Sequence, residues 1–341
     1  MCTRLSITAN RNKGAGAHLL VGLCLTSLLF SGCAAKQSTA LMQDTPSGIS
    51  SSARVDHVPF FPQQDYQCGP AALAMVLGHA GVDVTPEQLR PDLFIPDKQG
   101  SLQVEMMAMP RRYGMLGYQL APALSKLLQE VQAGHPVIVF QNLGLSLAPQ
   151  WHYAVVTGFD LGKKNIRLHS GNTPDYTMPL STFEHTWVRA GSWGMLVLPT
   201  GELPASADEK AYLMSVLMLE KEGFHQAALK SYTAASRRWP ESLAARLGLG
   251  NSQYTLGLLD EAQQTFLQAT HDFPGAGEAY NNLAQTYLDQ QRYELARTTI
   301  ERAINIDNSS ALYRKTRQEI EQASVAQTDQ HPKTPASAAR Q

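Results

Sequence analysis

Cysteine is scarce in this 341-residue chain, with four in all: Cys2, Cys24, Cys33 and Cys68. No C-x-x-C pair, no H-E-x-x-H helix and no glycine-rich phosphate loop occurs. Zinc and nucleotide sites therefore lack their usual residues, and no cofactor or metal is expected. Charge of one sign is missing too: the formal net charge is −1, which excludes the basic footprint of a nucleic-acid binder. The length leaves room for two domains.

The start of the chain holds Arg4, Arg11 and Lys13, an apolar run from Ala17 to Phe30, then Ser31-Gly32-Cys33. A basic stretch, a short apolar core and small residues describe a secretory signal rather than a membrane span. Leu29-Phe30-Ser31-Gly32-Cys33 resembles the bacterial lipobox, with Phe30 where that pattern prefers Leu. The resemblance implies lipidation of Cys33 as the first mature residue. With Ala34 following, and no Asp there, it implies sorting to the outer membrane of a Gram-negative cell, facing the periplasm. Several acyl chains on one residue anchor stably. Residues 34–54, rich in Ser, Thr, Gln and Ala, read as a flexible tether. Processing at Cys33 leaves Cys68 as the one free thiol, a liability in an oxidising compartment unless buried or useful.

Two different grammars follow. Residues 55–200 mix helical and strand signals. A helix over 69–79 stops at Gly81, Thr85-Pro86 opens a second, Ser101 caps a third towards Arg112, and 124–131 is a fourth. Strands are expected at 137–140, 152–156, 166–168 and 194–198. Helices before strands indicate an α+β domain, with the helix after Cys68 packed on an antiparallel sheet. Asp160 reads as a turn residue, and Trp151, Trp187 and Trp193 as core or cleft-wall aromatics. From Asp208 strand signals vanish. Ala228, Tyr232 and Ala235 recur 34 residues on as Ala262, Phe266 and Ala269, and again as Ala296, Ile300 and Ala303. That period is the tetratricopeptide signature, in which helix pairs stack into an all-α solenoid. Repeats plus a polar capping helix span 208–323, and 324–341 reads as a disordered tail.

Cys68 precedes Gly69-Pro70 at the mouth of an apolar helix, with Gln63 and Gln64 just upstream. A helix N-terminus favours the thiolate that a nucleophile needs, and its free N–H groups suit an oxyanion. A glutamine amide supplies a second donor, and Gln63 is preferred over Gln64. The remaining requirement is a histidine. His152 opens an apolar strand, whereas His79 lies about 16 Å along the Cys68 helix at 1.5 Å per residue, and His135 sits in a turn before Pro136.

Val58-Pro59, Gln63, Cys68-Gly69-Pro70-Ala71-Ala72, Gly134-His135-Pro136-Val137-Ile138-Val139 and His152-Tyr153-Ala154-Val155-Val156 with Gly158 resemble the bacteriocin-processing, double-glycine-leader peptidases. These are papain-like cysteine peptidases. The resemblance implies Cys68 as nucleophile, His152 as base and Gln63 as oxyanion donor. Relatives place an Asp on the next strand to orient the imidazole, but 166–172 reads Ile-Arg-Leu-His-Ser-Gly-Asn. His169 is the candidate orienter, with Asn172 as its alternative and Asp175 further along the loop. The expectation is a lipid-anchored, periplasm-facing cysteine peptidase that acts on a peptide or protein, its repeats recruiting substrate or a protein partner. The other readings are a peptidase-like scaffold that binds without cutting, and acyl or amide transfer through the same thioester.

Overall fold

The computed structural model describes residues 35–63, 67–98 and 100–330, with side chains to 326. The secretory signal, the lipidation call at Cys33, Gln64 and the tail from residue 331 lie outside the described residues. Among the described residues no helix is long and apolar enough to cross a membrane.

The first unit is one antiparallel sheet with helices on both faces. Strand β2 (Met115–Gln119) is followed in space by β7 (Gly194–Pro199), β3 (Val137–Asn142), β4 (Trp151–Asp160), β5 (Asn165–Ser170) and β6 (Thr173–Pro179). β1 (Ser52–Arg54) pairs with the far end of β4, where Gly158 leaves room for the Ala53 carbonyl. Alternation along β4 divides the core. Tyr153 and Val155 face α2 (Cys68–His79), whereas Ala154 and Val156 face α5 (Leu124–Gln132) and α6 (Leu180–Val188). α2 is apolar all round, and Leu73, Met75 and Leu77 are fully buried, each worth about 1.5–3 kcal/mol. Thr85 and Gln88 form the capping box that starts α3 (Pro86–Leu93). The third expected helix is shorter: α4 spans Gln103–Ala108, Leu102 rather than Ser101 occupies its cap position, and a 3-10 turn continues to Tyr113.

The segment read as a tether is folded. α1 (Lys36–Gln43) buries Leu41 in the main core, and the carboxylate of Glu184 on α6 accepts the N–H groups of Gln37 and Ser38 at 2.8 and 2.7 Å. A buried anion at a helix N-terminus satisfies the first free donors of that helix. Met42 and Ile49 pack against the same core.

The second unit is helical: α7 (Glu209–Lys221), α8 (His225–Arg238), α9 (Leu243–Thr255), α10 (Leu259–Asp272), α11 (Gly277–Asp289), α12 (Tyr293–Ile306) and α13 (Ala311–Gln330). The repeating alanines of α8, α10 and α12 are fully buried. Gly223 and Gly257 take left-handed turns at φ 85° and 75°, and in the third repeat Gln291 takes the same turn at φ 60°. α13 runs on to Gln330, past the expected end of the capping helix at 323, so residues 324–330 are helix rather than tail.

The two units share a core: Tyr212, Val216 and Leu219 of α7 pack with Leu116, Tyr118 and Leu196 of the sheet. Glu130, fully buried, holds the connection. It accepts from the N–H of Ser206 (2.6 Å), Ser206 Oγ (2.5 Å), the N–H of Ala205 (3.1 Å) and His135 Nδ1 (2.7 Å).

Candidate active site

Two of the residues picked out by sequence, Gln63 and Cys68, meet at the backbone of Tyr153, the residue after His152. β5 ends at Ser170, so the first residues of β4 have an open edge on that side. Gln63 fills it. Gln63 N–H donates to the Gly171 carbonyl (3.0 Å), and its buried side chain accepts from Gly171 N–H (3.0 Å) and donates to the Tyr153 carbonyl (3.1 Å). The N–H groups of Tyr153, Gly69 and Cys68 itself point at the Cys68 sulfur. His152 is the residue before Tyr153, and its Nε2 lies 2.9 Å from Ser170 Oγ.

Small residues make this approach feasible. A methyl on Gly69 would stand 2.4 Å from Ser101 Oγ, and the Ser101 carbonyl accepts the hydroxyl of Tyr153 (3.1 Å). The first turn of α2, the start of α4 and β4 are thereby locked together. Phe140 stacks on Trp151 with ring centroids 5.2 Å apart, and Trp193 meets the ring of Tyr153 edge-on at 5.8 Å. Trp151 thus stands exposed at the start of β4, while Trp193 and Trp187 are core, the Trp187 indole bonded to the Trp193 carbonyl. Asp160 caps its turn through Lys163 N–H.

Burial governs the electrostatics. It pushes the Cys68 thiol above its ordinary value, and the three backbone N–H groups pull the other way without reversing it. Burial alone takes His152 down to about 4. The expected lowering of the thiol by the helix terminus is therefore outweighed, because a desolvated anion costs more than these dipoles return. The resting pair is thiol and neutral imidazole.

The orienter expected at His169 is not found there. His169 Nδ1 accepts from Asp175 N–H (3.1 Å), so Nε2 carries the proton that points at the Val58 carbonyl (3.3 Å). Neither nitrogen is spent on His152. β5 extends to Ser170, and alternation sends His169 towards Phe60 and Ser170 to the other face, where His152 lies. Among the described residues Asn172 makes no hydrogen bond to His152. The Asp175 carboxylate is held by Arg54 (3.2 Å) and Arg167 (3.5 Å). His79 bonds the Gly134 carbonyl and His135 pairs with Glu130, so both lie apart from the thiol.

The model of the Peptidase_C39 like family matches residues 55–195, and that of the tetratricopeptide repeat matches 216–269 and 250–311. The chain thus carries a Peptidase_C39-like domain followed by tetratricopeptide repeats. Among solved structures it is similar to a protein described as a C39-like peptidase from Bacillus anthracis, at 18% identity over 44% of this chain and 98% of that one, TM-score 0.38. A double glycine motif protease from an AMS/PCAT transporter, in complex with the leader peptide, aligns at 25% identity over 43% and 95%, TM-score 0.34. The first tetratricopeptide domain of Spaghetti (RPAP3), bound to an HSP90 peptide, aligns at 16% over 34% and 93%, TM-score 0.33. No curated protein matches the chain.

Proposed function

We propose that the first domain is a thiol hydrolase of peptide bonds, with Cys68 as nucleophile and His152 as its base and acid. The observation that carries this reading is that Gln63 and Cys68 both contact the backbone of Tyr153, the residue after His152. For His152 Nδ1 to take the thiol proton, Nε2 must carry the ring proton and donate it to Ser170 Oγ, a positioning contact in place of the family's carboxylate. The thiolate then adds to the scissile carbonyl. The oxyanion takes Cys68 N–H and the second hydrogen of the Gln63 amide, whose first is held by Tyr153 O. Collapse breaks the C–N bond, His152 gives its proton to the leaving amine, and water, activated by the same imidazole, hydrolyses the thioester.

Lipidation of Cys33 would hold this enzyme on the outer membrane, facing the periplasm, with the repeats recruiting its substrate or a protein partner. A second reading is favoured by the neutral resting pair and, among the described residues, the lack of a carboxylate on His152: a peptidase-like scaffold that binds peptides without cutting. Asn282 Nδ2 donates to Asn251 Oδ1 (2.9 Å) between α11 and α9, where paired amides suit an extended backbone. Incubation with a library of peptides, followed by mass spectrometry of new termini, separates the two. Cleavage by the wild type that disappears in Cys68→Ala supports the hydrolase, and binding without new termini supports the scaffold.

A further inference from the structure

The loop from Leu143 to Gln150, immediately before the candidate base, carries no charge and turns its leucines outward. Leu147 is 100% exposed, Leu145 71% and Leu143 46%, and Trp151 at the base of the loop is 54% exposed. The loop is built to hold this shape. Asn142, itself buried, accepts the N–H groups of Gly144 and Gln150 (both 3.0 Å), and Leu143 N–H bonds the Gln150 carbonyl (2.9 Å). A side chain on Gly144 would meet the Ala148 carbonyl at 2.3 Å, so the turn closes tightly behind the leucines. A preorganised apolar tip left in water has no intramolecular gain to set against its hydration, and such patches mark a contact surface.

The start of the folded chain indicates what covers it. α1 begins at Lys36, so one residue, Ala34, and at most about 7 Å of extended backbone separate Cys33 from Ala35. α6 links that point to the loop. Its Glu184 grips the first N–H groups of α1, and one turn on Arg189 Nη2 bonds the Asn142 carbonyl while Thr186 accepts from Gln141. Glu184 to Arg189 is about 7.5 Å of helix. Val188, between them, is 49% exposed.

We infer that this face lies on the lipid bilayer, with the acyl chains of Cys33 and the leucines of the 143–150 loop entering it together. The inference rests on the lipid-anchor reading. The domain would then sit directly on the membrane in a fixed orientation, with His152 one residue beyond Trp151 and the cleft opening at the bilayer surface. A tryptophan at the base of such a loop suits the headgroup level.

The test uses the full chain produced in a Gram-negative host, purified in detergent and reconstituted in phosphatidylethanolamine–phosphatidylglycerol vesicles with brominated acyl chains. Among the described residues Trp151 is the one exposed tryptophan, so its emission is the wild-type signal less that of Trp151→Phe. The expected result is quenching of that component by at least half, reduced about twofold or more in Leu145→Ser/Leu147→Ser. An acylated protein whose Trp151 stays bright overturns the inference, and protection of Trp151 by added peptides in that state assigns the loop to the cleft. The mass of the N-terminal fragment separates the two ideas. An unmodified Cys33 sinks the anchor reading, and Trp151 quenched without it keeps the loop as a membrane contact, whereas unquenched it sinks both.

Discussion

Replacing Ser170 by Asp restores a carboxylate where the structure places a hydroxyl, 2.9 Å from His152 Nε2. In the wild type the drop from 6.5 to about 4 amounts to about 3 kcal/mol against the imidazolium. A charge-assisted hydrogen bond returns about 1.5–3 kcal/mol, which would bring the imidazole most of the way back to its ordinary value. The thiolate–imidazolium form should then rise by about 10- to 100-fold. Alkylation of Cys68 by iodoacetamide, followed from pH 5 to 10 in the chain from Ala34 onward, reads that population directly. The wild type should react appreciably only near and above the ordinary thiol range, since burial raises its thiol. Ser170→Asp should add a limb at lower pH that vanishes when His152 is also replaced by Ala. A folded Ser170→Asp protein with the wild-type profile would refute the idea that Ser170 controls the imidazole.

Three further outcomes follow from burial and packing. Because His152 titrates near 4 in the folded protein and near 6.5 unfolded, the unfolded chain alone binds the proton between those values. Stability therefore falls as pH drops through that window, by about 3 kcal/mol in all, and urea melts of His152→Gln should show a flatter slope. At the junction, hydrogen bonds to Glu130 and its charge raise His135. Burial of Glu130 opposes its ionisation, but the bonds from His135 and Ser206 outweigh this and lower its carboxyl. The pair thus stabilises fully between the ordinary carboxylate and imidazole values, losing strength as pH rises through His135's raised value or falls through Glu130's lowered one. Glu130→Ala should cost about 3–5 kcal/mol near pH 6 and remove that dependence in thermal melts. In the repeats, a methyl at Gly250 would stand 2.4 Å from the Phe266 ring, so Gly250→Ala should cost about 1–3 kcal/mol by urea melt while alkylation of Cys68 is unchanged.

The candidates Cys68, His152 and Gln63 come from local patterns that carry their own geometry: a helix mouth, a strand start, an upstream amide. The 34-residue period was legible for the same reason, since small residues recur wherever paired helices touch. Ser170 was not. A serine at a strand end has no signature, and its meaning comes from two extra residues of β5 that put His169 and Ser170 on opposite faces. The tether was misread because 34–54 is polar in composition, and the partners that fold it, Glu184 and the core around Leu41, lie far along the chain. The balance between helix dipole and burial at Cys68 also depends on neighbours from β4 that no local pattern shows.

The most direct test of the hydrolase is to catch its intermediate. The chain from Ala34 is mixed with a peptide library, quenched in acid within seconds, and its Cys68 peptide is weighed. An acyl adduct on Cys68 that hydroxylamine removes, that is lost in Cys68→Ser and that persists longer in His152→Ala is the predicted result. Peptides that bind while Cys68 stays unmodified would contradict the account and leave a binding scaffold.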